Sequence, residues 1–128
     1  MEERTRYLID ANIFLETIFA QKRAEDAFLF LEKIAAGAHE ALITSLALHS
    51  IEILAARDNL FDELDQFLAT LPMFRGLTVH HSTLDEERAA IKYAQKFGLD
   101  FEDALQYTIA KEQHLTLVSF DKDFDKTD

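Results

Sequence analysis

An α/β fold with a short, mostly parallel sheet of about four strands flanked by helices follows from three features of this sequence. Four brief apolar runs are separated by longer stretches whose apolar residues recur at helical spacing. Strands separated by helices pair in parallel and are covered on both faces, a three-layer α/β/α arrangement. Three glycines and one proline in 128 residues leave few irregular loops.

The elements follow in order. Residues 7–9 form an apolar strand that ends in Asp10. Residues 11–19 carry apolar side chains at 11, 14, 15, 18 and 19, which is helical spacing. A second helix spans about 22–36, with Ala24, Ala27, Phe28, Leu31, Ile34 and Ala35 on one face and Gly37 as its stop. Residues 41–43 are a strand, and Thr44-Ser45 offers an N-cap to a helix carrying Leu46, Leu48, Ile51, Ile53, Leu54 and Ala55. Asp58 is expected to cap the next helix, to about Ala69, which Pro72 closes. Residues 77–79 are a strand. Ser82 or Thr83 opens a helix through Lys96, and Gly98 ends it. Asp100 caps the last helix, and 115–118 is the final strand. The order is β-α-α-β-α-α-β-α-α-β.

The length of 128 residues is one domain, 1–128. No apolar run approaches the roughly 20 residues that span a bilayer. The start, MEERTRYLID, lacks the apolar core of a signal peptide, so a cytoplasmic location is expected. The absence of cysteine excludes disulfides and thiolate metal sites. Net charge is −11, from 24 acids and 13 bases. Such a surface repels polyanions and invites a basic partner. Action on nucleic acid would require bound cations to supply local positive charge, or a small contact.

The acids themselves show a pattern. The tail reads LTLVSFDKDFDKTD, a strand running into Asp121, Asp123, Asp125 and Asp128. Each acid has an ordinary structural explanation when taken alone. Asp10 could be a helix N-cap. Glu52, between Ile51 and Ile53, could lie on the solvent edge of its helix. Asp103, beside Asp100 and Glu102, could serve the helix dipole. An EF-hand reading of the Asp121 run fails, because its sixth position is Lys126 rather than Gly and the loop stops short of its twelfth. Asp125 and Asp128 read as solvated tail.

Taken together the acids converge. Asp10 and Asp121 each follow a strand, and Glu52 and Asp103 lie near helix N-termini. In a parallel sheet these ends share one edge, where open α/β folds build sites. Clustered carboxylates repel one another unless a cation neutralises them. Oxygen ligands without cysteine fit Mg²⁺ or Mn²⁺.

Three segments carry a resemblance: LIDANIFLE around Asp10, ITSLALHSIEILAAR around Glu52, and GLDFEDALQYTIAKEQHLTLVSFDKDF through Asp103 and Asp121. In that order they resemble PIN-domain proteins, specifically the toxin ribonuclease of a VapBC-type toxin–antitoxin pair. The resemblance implies a PIN-like fold and Mg²⁺- or Mn²⁺-dependent cleavage of RNA phosphodiesters. It places the site acids at Asp10, Glu52, Asp103 and Asp121, with Asp123 competing for the fourth place. Asn12, Thr44 or Ser45, and Ser119 match small polar positions near such sites. The resemblance also implies a basic VapB-type antitoxin as partner, and a homodimer is expected. Two departures stand out. The chain stops at Asp128, where family members often continue into one more short strand, so a final edge strand is expected to be lacking. The negative charge is also unusual for an RNA-binding surface; two divalent cations would bring −11 only to about −7.

Other readings are weaker. His80-His81 reads as a surface turn, with no third ligand at zinc spacing. There is no nucleophile elbow, P-loop or dinucleotide-binding glycine pattern. A receiver-like phospho-acceptor would need an Asp at the end of a central strand, and neither 42–44 nor 77–80 supplies one. A PIN-like interaction module without catalysis is the main alternative. Phe-rich helices in 24–36 and 60–74 could line a dimer or partner groove.

Overall fold

The computed structural model describes residues 5–19 and 24–120. Four strands, β1 (Arg6–Ile9), β2 (Glu40–Thr44), β3 (Leu77–His80) and β4 (Thr116–Val118), alternate with pairs of helices. The helices are α1 (Ala11–Ile18), α2 (Ala24–Ala35), α3 (Ser45–Arg57), α4 (Phe61–Thr70), α5 (Leu84–Phe97) and α6 (Phe101–Glu112). The sheet has the order β3-β2-β1-β4, and every pairing is parallel. This is the architecture the sequence predicts.

Side chains alternate across a strand, and here that alternation sorts the core into two layers. Ile9, Ala41 and Ile43 pack with α1, α2 and α3 on one face. Leu8 and Leu42 pack with α5 and α6 on the other. Both sheet faces are therefore buried, which explains why the strands read as unbroken apolar runs. Tyr93, Phe97 and Tyr107 tie α5 to α6 through edge-to-face contacts at 4.9 Å and 5.3 Å.

Local signals explain the element ends. The Thr44 hydroxyl accepts from the Ala47 N–H at 3.0 Å and starts α3. Thr83, not Ser82, opens α5 with a reciprocal capping box to Glu86. Gly98 ends α5 in the left-handed conformation, at φ 66°. Asp100 caps α6 by accepting from the Asp103 N–H at 2.8 Å.

Two expectations are corrected. Asp58 does not open α4; its N–H bonds to the Leu54 carbonyl and closes α3. Asn59 then turns the chain at φ 59°, and α4 begins after Leu60 without a side-chain cap. His80 is not a surface-turn histidine either. It is the last residue of β3, only 21% exposed, with Nε2 3.1 Å from Glu86 Oε1.

Candidate active site

β1 and β4 are neighbours in the sheet, and the Asp10 N–H extends their ladder by donating to the Val118 carbonyl at 3.0 Å. The chain then turns into α1 with Asp10 in the N-cap position. Its carboxylate makes no cap hydrogen bond. It is instead buried, 5% exposed, and held from two sides. Ser119 Oγ donates to Oδ2 at 2.6 Å, and Gln106 Nε2 donates to Oδ1 at 3.4 Å. Asn12 Nδ2 in turn donates to Ser119 Oγ at 3.1 Å, while the Phe120 N–H donates to Asn12 Oδ1 at 3.3 Å. The end of β1, the start of α1, the end of β4 and the side of α6 thus meet at one carboxylate.

Asp103 lies in the first turn of α6 and is buried, 6% exposed. Gln106, which reaches Asp10, is one helical turn further on the same side. The Gln106 side chain is wholly buried, and its Oε1 has no hydrogen-bond partner among the described residues. An orphaned buried acceptor is costly and points to an absent water or cation.

Beside Asp103, Glu102 accepts a hydrogen bond from Ser50 Oγ on α3 at 2.7 Å. Burial raises its carboxyl above the ordinary value; the Ser50 bond opposes this, and the charges of Asp10 and Asp100 push it higher. This corner of the molecule therefore carries surplus negative charge. Sequence reading had grouped Glu102 with the helix-dipole acids. The signal available was Ser50, a small polar residue in an otherwise apolar stretch.

The structure does not bring Glu52 to this cluster. The buried stripe of α3 is Ala47, Ile51 and Ala55. At about 100° per residue, Ser50 and Glu52 flank that stripe on opposite sides. Ser50 takes the side facing α6. Glu52 pairs with the exposed His49, Oε1 to Nδ1 at 2.8 Å.

Of the small polar residues, Asn12 and Ser119 are part of the Asp10 network. Ser45 is half-buried at the start of α3, and buried Thr44 is occupied as its cap. Asp121, Asp123, Asp125 and Asp128 lie outside the described residues. Among the described residues, no three His, Asp or Glu side chains form a ready-made metal cage. The donors present are nonetheless all hard oxygens. Mg²⁺ is commonly held by one or two carboxylates with several waters retained, so this donor set and the orphaned Gln106 oxygen fit such an ion.

The PIN-domain family model matches residues 7–128. The chain belongs to the PIN-domain family. Solved structures share the fold of this PIN domain at low sequence identity. A sarcin–ricin-loop-cleaving VapC toxin of Mycobacterium tuberculosis superposes with a TM-score of 0.77 at 18% identity, over 93% of this chain and 92% of that one. A toxin–antitoxin complex from Klebsiella pneumoniae gives 0.70 at 19% identity, over 92% and 89%. A VapBC complex of Rickettsia felis bound to promoter DNA gives 0.68 at 19%, over 95% and 92%. No significant relative is found among curated protein sequences. PIN membership also removes the receiver-like reading.

Proposed function

We propose that this PIN domain is a divalent-metal-dependent endoribonuclease and the toxin of a toxin–antitoxin pair. The observation that carries this reading is Asp10: a buried carboxylate at a strand end that forgoes its helix cap and is fixed by Ser119 and Gln106. Such fixing is what a metal ligand needs from its supporting residues. Asp103 and Asp121, with Asp123 competing for that place, complete the donor set with Asp10. Mg²⁺ or Mn²⁺ held there would polarise a phosphate oxygen and activate water as nucleophile. The protein's own contribution is orientation. Ser119 and Gln106 set the Asp10 rotamer, Asn12 sets Ser119, and the buried surroundings keep these donors from exchanging with water. Ser45 remains a candidate for positioning substrate from the start of α3. Glu52 has no place in this machinery, because its side chain faces away.

The whole chain 1–128 would act as one domain in the cytoplasm, and no helix among the described residues is long and apolar enough to cross a membrane. A basic VapB-type antitoxin suits a chain of net charge −11. The Klebsiella and Rickettsia structures, both toxin–antitoxin complexes, support the same partner. An apolar groove of about 300 Å³ between α1, α2 and α4, lined by Phe14, Phe28, Leu31, Phe67, Leu71 and Phe74, favours contact with protein, either antitoxin or a second copy in a homodimer.

The test is Asp10→Asn. Mn²⁺-dependent cleavage of RNA should be abolished while circular dichroism and melting temperature stay near wild type. Cleavage equal to wild type would defeat the enzyme reading and leave the interaction module.

A further inference from the structure

We propose that Glu102, oriented by Ser50, is the helical carboxylate that joins Asp10 and Asp103 in holding the cation, in the role that sequence spacing assigns to Glu52. The inference rests on the metal-dependent reading above and deepens it.

Three observations converge. First, the α3 side chain on the flank that faces α6 is Ser50, and its Oγ donates to Glu102 Oε2 at 2.7 Å across 52 residues of chain. A serine cannot serve as an anionic ligand, but it can present one. A single donor leaves most of the lone-pair capacity of a carboxylate unused. Second, Glu102 is followed one helical turn later by Gln106, whose amide is wholly buried and lies 3.4 Å from Asp10. Helix geometry therefore carries Glu102 and Gln106 along one side of α6 toward the same acid. Third, Gln106 Oε1 is a fully buried acceptor without a partner among the described residues. It points to a further species, a cation or its bound water, at this junction. Glu52 meets none of these conditions, since His49 holds it 2.8 Å away on the opposite flank of α3.

The arrangement replaces one long carboxylate reaching from α3 with a two-part device. Ser50 on α3 sets the position, and Glu102 on α6 supplies the charge. Adjacent acids in the first turn of α6 then serve together, Asp103 from the buried side and Glu102 from the side turned to α3.

The experiment measures Mn²⁺ binding alone, by calorimetry and electron paramagnetic resonance, on the full chain and its variants. Glu102→Gln keeps the size of the side chain and an acceptor for Ser50; it should weaken Mn²⁺ affinity about tenfold or more. Glu52→Gln should stay within about twofold of wild type. Ser50→Ala should lose affinity and Ser50→Thr should restore it, which a purely structural effect on α3 would not produce. Glu102→Gln binding Mn²⁺ like wild type, while Asp10→Asn does not, would overturn this inference alone and leave the metal site standing. Loss on Glu52→Gln with none on Glu102→Gln would restore the original assignment. If wild type and Asp10→Asn both fail to bind Mn²⁺, the metal reading falls and this inference with it.

Discussion

Asp10 occupies a cap position yet spends its carboxylate on Ser119 and Gln106. A residue type that caps helices well has been withdrawn from that task, and α1 opens without side-chain help. The Ser119 hydroxyl is the closest support, at 2.6 Å. Ser119→Ala should therefore do two things. It should lower stability by about 1–3 kcal/mol, since it removes a hydrogen bond to a buried charged group; urea titration would measure this. It should also weaken Mn²⁺-dependent cleavage by about 10–100-fold, as loss of a ligand-orienting group does. A variant that lost stability but cleaved RNA at the wild-type rate would show Ser119 to be structural only.

At the scale of elements, two devices set the sheet and its helices. Thr83 and Glu86 close a capping box at the start of α5, with the Thr83 N–H donating to Glu86 Oε1 at 2.8 Å and the Glu86 N–H to Thr83 Oγ1 at 3.1 Å. Thr83→Ala should cost about 1 kcal/mol. Burial pushes the Glu86 carboxyl up, but hydrogen bonds from Thr83 and His80 and the charge of His80 outweigh burial and hold it below its ordinary 4.5. A lowered folded-state value stabilises the protein above the unfolded value, and that contribution is lost as pH falls through the folded one. Glu86→Gln should accordingly flatten the loss of stability below about pH 4.5, as seen in thermal melts across pH. The second device is Gly76, just before β3. An added Cβ there would stand 2.0 Å from the His39 carbonyl oxygen and 3.0 Å from that of Ile34. Both obstacles are backbone, so neither can swing away. Gly76→Ala should cost about 2 kcal/mol or more by forcing β3 off β2, measured by chemical denaturation.

The whole molecule combines a strong negative charge with an exposed apolar region. Phe28, Leu29, Phe61 and Met73 are all more than half exposed, and three of them lie on α2 and α4 beside the apolar groove. The net charge of −11 disfavours a broad grip on RNA and favours a basic protein partner. Raising salt from about 0.05 to about 0.5 M should weaken capture of a basic antitoxin by shortening the range of that attraction. Surface plasmon resonance at stepped ionic strength would read it. Affinity that did not change with salt would shift the weight of binding from the charge to the apolar groove.

Much of this was legible from residues in order, because the signals are local. Periodicity of 2 and of 3.6 residues marked all ten elements, and Gly98, Asp100 and Thr83 marked ends through chemistry that acts within a turn. The Asp58 cap failed because Asp suits both ends of a short connection, and only the hydrogen bond to Leu54 shows which helix it serves. Parallel pairing followed from helices between strands, and with it the placement of Asp10 at the edge where strands end. What the tertiary structure decided is which side of α3 looks into that edge. Ser50 and Glu52 are two positions apart and so about 200° apart around the helix. Spacing along the chain favours the acid, whereas packing of the Ala47, Ile51 and Ala55 stripe against the sheet turns the serine inward. The partnership of Ser50 with Glu102, and of Asp10 with Gln106 and Ser119, joins residues 52 to 109 positions apart. No local pattern encodes such pairs, because they exist only once the sheet has brought its strand ends together.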